Sequence, residues 1–147
     1  MIKKVAILAN GGDVAGFNAV IRGIVKTAEN NNVECYGFID GYNGLLKNEY
    51  ERLSTAENGN AEGILQKGGS IIGSSTNANV FNYKVTNEDG TVEYKDLSDV
   101  CVENIKKDEF DCIFTLGGDG TQKSARDFAT KGVNVIGVPK TIDNDVA

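Results

Sequence analysis

The 147-residue chain contains no histidine and no tryptophan, a single proline and only three cysteines. The lack of histidine excludes imidazole metal sites and His-based catalytic triads. Cys35, Cys101 and Cys112 lie far apart and form no CxxC pair, so they read as buried or helix-face thiols of a reducing cytosol, and the protein as cytoplasmic. Positive charge is also short. Fifteen Lys and Arg stand against 21 Asp and Glu, a net charge of −6, which speaks against a general nucleic-acid or membrane binder. No apolar run approaches membrane length. Met1-Ile2-Lys3-Lys4 leads straight into a strand pattern without a signal-peptide block. Glycine, by contrast, is plentiful at 18 residues, which suits an α/β protein with many tight strand–helix turns. The length is that of about one domain, enough for a real core.

The richest stretch is Phe110-Asp111-Cys112-Ile113-Phe114-Thr115-Leu116 running into Gly117-Gly118-Asp119-Gly120-Thr121. An apolar run of strand length ends in glycines, a carboxylate and a hydroxyl, and polar helical sequence follows. A strand tip feeding a glycine-rich turn and a helix start is a phosphate-binding arrangement, because backbone N–H groups meet phosphate oxygens where no side chain intervenes. Asp119 would repel a bare phosphate but suits a Mg²⁺ ion shared with it. The same residues also fit a plain turn with Asp or Thr capping a helix.

Residues 5–9 form an apolar run that predicts a buried parallel strand, with Asn10-Gly11-Gly12-Asp13 as its turn. Ile21, Ile24, Val25 and Ala28 fall at helical spacing, so a helix spans residues 16–30, and residues 33–39 form a second strand. The order strand–turn–helix–strand begins a doubly wound, mostly parallel Rossmann-like sheet with helices on both faces. Residues 40–44 read as a turn that can open one helical turn, with Tyr42 more a packing residue than a ligand. A short helix over 60–66 and a small strand over 70–73 follow. The alternation in residues 83–94 around Glu88-Asp89-Gly90 predicts an inserted surface hairpin. Leu97, Cys101 and Ile105 mark a helix over 96–107. The strand at 110–116, a helix over 121–131 stopped by Gly132, and a strand over 133–138 complete the pattern.

The turns after the strands at 5–9, 110–116 and 133–138 all follow carboxyl ends of parallel strands, the edge at which open α/β sheets bind ligands. They bring Gly11, Gly12 and Asp13, then Gly118, Asp119, Gly120 and Thr121, then Lys140, Thr141, Asp143 and Asp145. Glycines, a lysine, hydroxyls and carboxylates together suggest Mg²⁺-assisted phosphoryl transfer, which needs positioning and charge neutralisation more than a covalent nucleophile. Asp143 can accept a proton from a substrate hydroxyl while Asp145 orients or helps bind. Two aspartates at this spacing also occur in solvated acidic turns. Lys140 serves either as a point charge on phosphate or as an ordinary exposed lysine.

Taken together, these residues resemble the phosphofructokinase family. The resemblance is carried in order by Gly11-Gly12-Asp13 with Gly16 and Asn18-Ala19-Val20-Ile21-Arg22, by Asp40-Gly41-Tyr42-Asn43-Gly44-Leu45, by Gly68-Gly69-Ser70-Ile71-Ile72-Gly73-Ser74, and by the segments 116–121 and 139–145. Lipid and NAD kinases carry runs like Gly-Gly-Asp-Gly-Thr; Thr141-Ile142-Asp143-Asn144-Asp145 separates this family from them. The resemblance implies phosphorylation of the 1-hydroxyl of fructose 6-phosphate, a glycolytic step. Asp143 would be the general base, helped by Lys140 and Asp145. Asp119 would bind Mg²⁺. Gly11, Gly118, Asp119, Gly120 and Thr121 would line the donor site, and Thr141 and Asp143 would contact the sugar phosphate. Arg22 matches a family position used for effectors in some bacterial members.

In the family it resembles, a glycine at the position of Gly120 leaves room for the α-phosphate of a nucleotide, which favours ATP, whereas a lysine at the position of Lys140 is common among pyrophosphate-dependent members. Ala15 replaces a usual proline, and Thr76 stands where many members carry an arginine on the transferring phosphate. That loss of charge keeps a non-catalytic, nucleotide-binding or regulatory subunit as a further alternative. The family enzyme is at least about twice this length and is expected to be a homodimer or homotetramer. Residues 1–147 therefore read as the N-terminal donor-binding and catalytic part of a two-domain kinase, weak or inactive alone and exposing an apolar edge.

Overall fold

The computed structural model describes residues 2–10, 17–55 and 80–139. In chain order these form β1 (Lys4–Ala9), α1 (Phe17–Asn30), β2 (Glu34–Phe38), α2 (Tyr42–Lys47), β3 (Tyr50–Arg52), a 3₁₀ turn (Val80–Asn82), β4 (Tyr83–Thr86), β5 (Val92–Lys95), α3 (Ser98–Lys107), β6 (Cys112–Gly117), α4 (Asp119–Thr130) and β7 (Val135–Pro139). The main sheet has the order β3-β2-β1-β6-β7. β2, β1, β6 and β7 are parallel, and only β3 runs antiparallel at its edge. This is the α/β architecture expected from the sequence.

β1 lies near the middle and is covered on both faces, which is why it reads as an unbroken apolar run rather than an alternation. One face packs Val5, Ile7 and Ala9, with Cys112 and Leu116 of β6, against Ile21, Val25 and Ala28 of α1. The opposite face sets Ala6, Leu8, Phe38 and Ile113 against Tyr42, Leu45, Cys101, Val102, Ile105 and Phe128 from α2, α3 and α4. On the α1 side the covering stops short of β7. A groove there is lined by Val20, Ile24, Phe114 and Ile136, and Ile136 is 49% exposed. This is an apolar edge of the kind expected.

The hairpin is present as a separate two-stranded sheet, with Tyr83 opposite Lys95 and Thr86 opposite Val92. Its loop turns at Gly90, whose φ of +87° suits glycine, and Asp89 accepts the Thr91 N–H at 2.9 Å. Gly132, also at φ +87°, follows α4 as a stop.

Several boundaries differ from expectation. The segment at 40–44 opens a longer helix than one turn, α2, in which Tyr42 is fully packed and stacks on Phe128. β3 has no counterpart in the sequence reading, because its three residues include two charges and sit on an edge. β6 begins at Cys112 rather than residue 110. Asp111 turns aside there to accept the N–H groups of Lys3 and Lys4 at 2.8 and 3.0 Å, and these hold its carboxyl below the usual range. Phe110 instead joins Tyr36 and Tyr50 around the Lys4 ammonium, which sits 4.6–5.7 Å from the three ring centres. α4 starts at Asp119, two residues before the expected point. The helix over 60–66 and the strand over 70–73 lie outside the described residues.

Candidate phosphoryl-donor site

β1 and β6 pair side by side, but the chain leaves them in opposite directions. After β1 it passes through α1 to β2 on one side; after β6 it passes through α4, on the other face, to β7. The carboxyl ends of β1 and β6 therefore flank a topological switch point, where open α/β sheets leave a ligand crevice. The two strand ends stay paired to their tips, since the Asn10 N–H donates to the Leu116 carbonyl at 2.9 Å.

β6 ends at Gly117, and Gly118 follows in extended geometry (φ −86°, ψ −158°) as the N-cap of α4. The N-cap is a glycine, no side chain caps this end among the described residues, and the Gln122 N–H makes the bond back to the Gly118 carbonyl at 3.0 Å. The first-turn N–H groups thus have no intrahelical acceptor and sit at the positive end of the helix dipole. An uncapped helix start at a switch point can accept phosphate oxygens through main-chain donors alone.

The start of α4 is braced from below. Thr121 is buried, and its hydroxyl donates to the Asn10 carbonyl at 3.2 Å. The Gln122 amide donates to the Gly117 carbonyl at 3.3 Å. Two glycines make room for these contacts. A β-carbon on Gly117 would collide with the Asn10 carbonyl and the Thr121 hydroxyl and come within 2.7 Å of Thr121 Cβ. The nearest atoms to a β-carbon on Gly137 would be those of the Gln122 amide.

Titratable side chains are buried in the core on both faces of the sheet. Burial pushes the Tyr42 phenol up; Ser124 opposes that shift without making a well-formed hydrogen bond to the phenol oxygen. Burial also pushes the Cys35 and Cys101 thiols up to about 12 and raises that of Cys112, so none is a ready thiolate nucleophile at neutral pH.

Of the residues singled out in the sequence, Gly118, Asp119, Gly120 and Thr121 all fall at the head of α4. Gly11, Asp13, Thr76, Lys140, Thr141, Asp143 and Asp145 lie outside the described residues. The sequence reading includes Gly117 in the glycine-rich run and Asn10 in the turn after the first strand, but gives no signal for the contacts that join them to Thr121 and Gln122, nor for Gln122 itself.

The fold and this site define an α/β domain with an anion-receptive helix start at its switch point. The sequence matches the phosphofructokinase family over residues 4–147. It is 51% identical over 146 residues to ATP-dependent 6-phosphofructokinase 2 of Clostridium perfringens (strain 13 / Type A), covering 99% of this chain and 39% of that protein. It is 39% identical over 144 residues to ATP-dependent 6-phosphofructokinase 3 of Bacteroides thetaiotaomicron, covering 97% of this chain and 40% of that protein. Among solved structures, Pichia pastoris phosphofructokinase in the T-state superposes with a TM-score of 0.78 at 25% identity, over 99% of this chain and 16% of that one. The fold is also that of the pyrophosphate-dependent phosphofructokinase from Marinobacter aquaeolei, with a TM-score of 0.69, 24% identity, and 97% of this chain against 34% of that one. The chain belongs to the phosphofructokinase family and spans about two fifths of the length of these curated relatives.

Proposed function

We propose that this chain is the phosphoryl-donor and catalytic part of an ATP-dependent 6-phosphofructokinase, acting in the cytoplasm as part of a longer homo-oligomeric protein. The reaction moves the γ-phosphoryl group of ATP to the 1-hydroxyl of fructose 6-phosphate, in glycolysis. The observation that carries the reading is the uncapped start of α4 at the β1/β6 switch point, in a chain about half identical to a relative named ATP-dependent.

In this reading the N–H groups of residues 118–121, with the turn at Gly11, hold the polyphosphate. Gly120 leaves space that a side chain would take from a nucleotide's α-phosphate. Asp119 heads α4 and would hold Mg²⁺. One carboxylate is a fitting protein share for this ion, which draws its other oxygens from phosphate and water, and no cluster of three metal-binding side chains occurs among the described residues. The ion supplies charge neutralisation when bound. Asp143 takes the proton of the acceptor hydroxyl, Asp145 keeps Asp143 oriented, Thr141 holds the sugar phosphate, and Lys140 offers a cation to the transferring group. Replacement of Lys140 by alanine in the whole protein is expected to lower kcat on the order of a hundredfold with little change in unfolding temperature, as steady-state kinetics beside a melting curve will show.

Lys140 also supports a second reading, the same transfer from pyrophosphate, and Thr76 a third, a nucleotide-binding subunit without turnover. Paired assays with Mg-ATP and Mg-pyrophosphate on the whole protein separate them. Fructose 1,6-bisphosphate is expected from ATP. Product from pyrophosphate alone supports the second reading, and nucleotide binding without product supports the third.

A further inference from the structure

We propose that Thr121 is a positioning residue of the donor site: its hydroxyl latches the end of β1 to the first turn of α4, across a gap that Gly117 keeps open. The inference rests on the reading of α4 as the donor-binding helix and adds how that helix is held against the end of the first strand.

Within the glycine-rich run, a threonine hydroxyl is the obvious candidate to touch a phosphate. The structure gives it another task. Thr121 is only 4% exposed, and its hydroxyl hydrogen is committed to a main-chain carbonyl 111 residues away in sequence. A helical threonine commonly bonds back to its own preceding turn; this one reaches across to a neighbouring strand. Its branched β-carbon fixes the side-chain torsion, so the bond transmits position rather than swinging freely. The receiving residue is held by its backbone at both ends. The Asn10 N–H is bonded to Leu116, its carbonyl to Thr121, and its own side-chain oxygen has no hydrogen-bond partner among the described residues. Asn10 is therefore placed by what its backbone touches. The latch therefore sets the tip of β1 relative to the N–H groups at the start of α4. A donor phosphate received by that helix start meets main-chain donors already fixed against the sheet.

The test compares Thr121→Val, which keeps the branched shape but loses the hydroxyl, with Thr121→Ser, which keeps the hydroxyl, in the whole protein. Amide hydrogen exchange is followed without ligand at Asn10 and at Ile7, deeper in β1. Mg-ATP binding and the KM for fructose 6-phosphate are measured alongside. In Thr121→Val, Asn10 is expected to exchange about tenfold faster relative to Ile7, and the Kd for Mg-ATP to rise about fivefold to tenfold with the sugar-phosphate KM unchanged. Thr121→Ser is expected to recover both relative to valine. Unchanged exchange at Asn10, equal acceleration at Asn10 and Ile7, or faster exchange with unaltered Mg-ATP affinity each overturns the latch while leaving the donor-site reading intact. A wild-type protein that binds neither Mg-ATP nor Mg-pyrophosphate overturns both. If Thr121→Val does not fold, Thr121→Ala against Thr121→Ser gives the same comparison.

Discussion

Asp143→Asn in the whole protein is expected to lower kcat by about 10²–10⁴ with no comparable rise in the KM for ATP. Asparagine keeps the size of the side chain and its capacity to hydrogen-bond. It cannot carry away a proton. The acceptor hydroxyl must lose its proton as the bond to phosphorus forms, so the loss belongs to the transition state and appears in kcat. In the proposed reading the donor is held elsewhere, at the first turn of α4, so its affinity is expected to stay near the wild-type value. Asp145→Asn, which removes only an orienting group, is expected to lose less. A normal kcat in Asp143→Asn, or a loss seen only in the KM for ATP, removes the proton-acceptor role from this residue.

Much of the fold is legible in the sequence because the driving pattern is local. β1 and β6 are covered on both faces, so each shows as an apolar run ended by glycine, and the intervening helices show their buried stripes at helical spacing. The surface hairpin announces itself through alternation on both sides of Asp89-Gly90. What escapes the sequence depends on partners distant in the chain. β3 exists because Tyr50–Arg52 finds the open edge of β2, where the Tyr50 ring meets those of Tyr36, Phe38 and Phe110. Nothing within three residues, two of them charged, specifies that pairing. The same holds within the site. That residues 117–121 form a glycine-rich turn from strand to helix is readable; which of their side chains turn back against the protein is not. That division is set by the pairing of Ala9 with Leu116, which brings Asn10 beside Gly117 and leaves the Thr121 hydroxyl a carbonyl to meet. A register one residue away would have given every side chain in the turn another neighbour.

Gly117→Ala tests that division most severely. An added methyl group would overlap the Asn10 carbonyl and the Thr121 hydroxyl and stand 2.7 Å from Thr121 Cβ. None of these can step aside cheaply. The carbonyl belongs to a strand tip bonded to Leu116, Thr121 is embedded in α4, and β6 itself is paired on both edges, with Leu116 opposite Ala9 and Gly117 opposite Pro139. Either the end of β1 or the first turn of α4 must move. Overpacking of this kind costs about 1–3 kcal/mol, and relief by lifting α4 also breaks the Thr121 and Gln122 bonds that hold it. The expected result is a clear loss of unfolding free energy together with a fall in Mg-ATP affinity of about tenfold or more, since the displaced turn carries the main-chain donors. Gly137→Ala is the internal control. Its methyl group would meet the end of the Gln122 side chain, which can rotate away, so the cost is limited to the 3.3 Å bond from Gln122 to Gly117, about 0.5–1.5 kcal/mol. Denaturant titrations and Mg-ATP binding for both variants give the comparison. If Gly117→Ala binds Mg-ATP as wild type does, the close approach of β1, β6 and α4 does not shape the donor site; if Gly137→Ala proves the more damaging, the Gln122 brace outweighs the Thr121 contact.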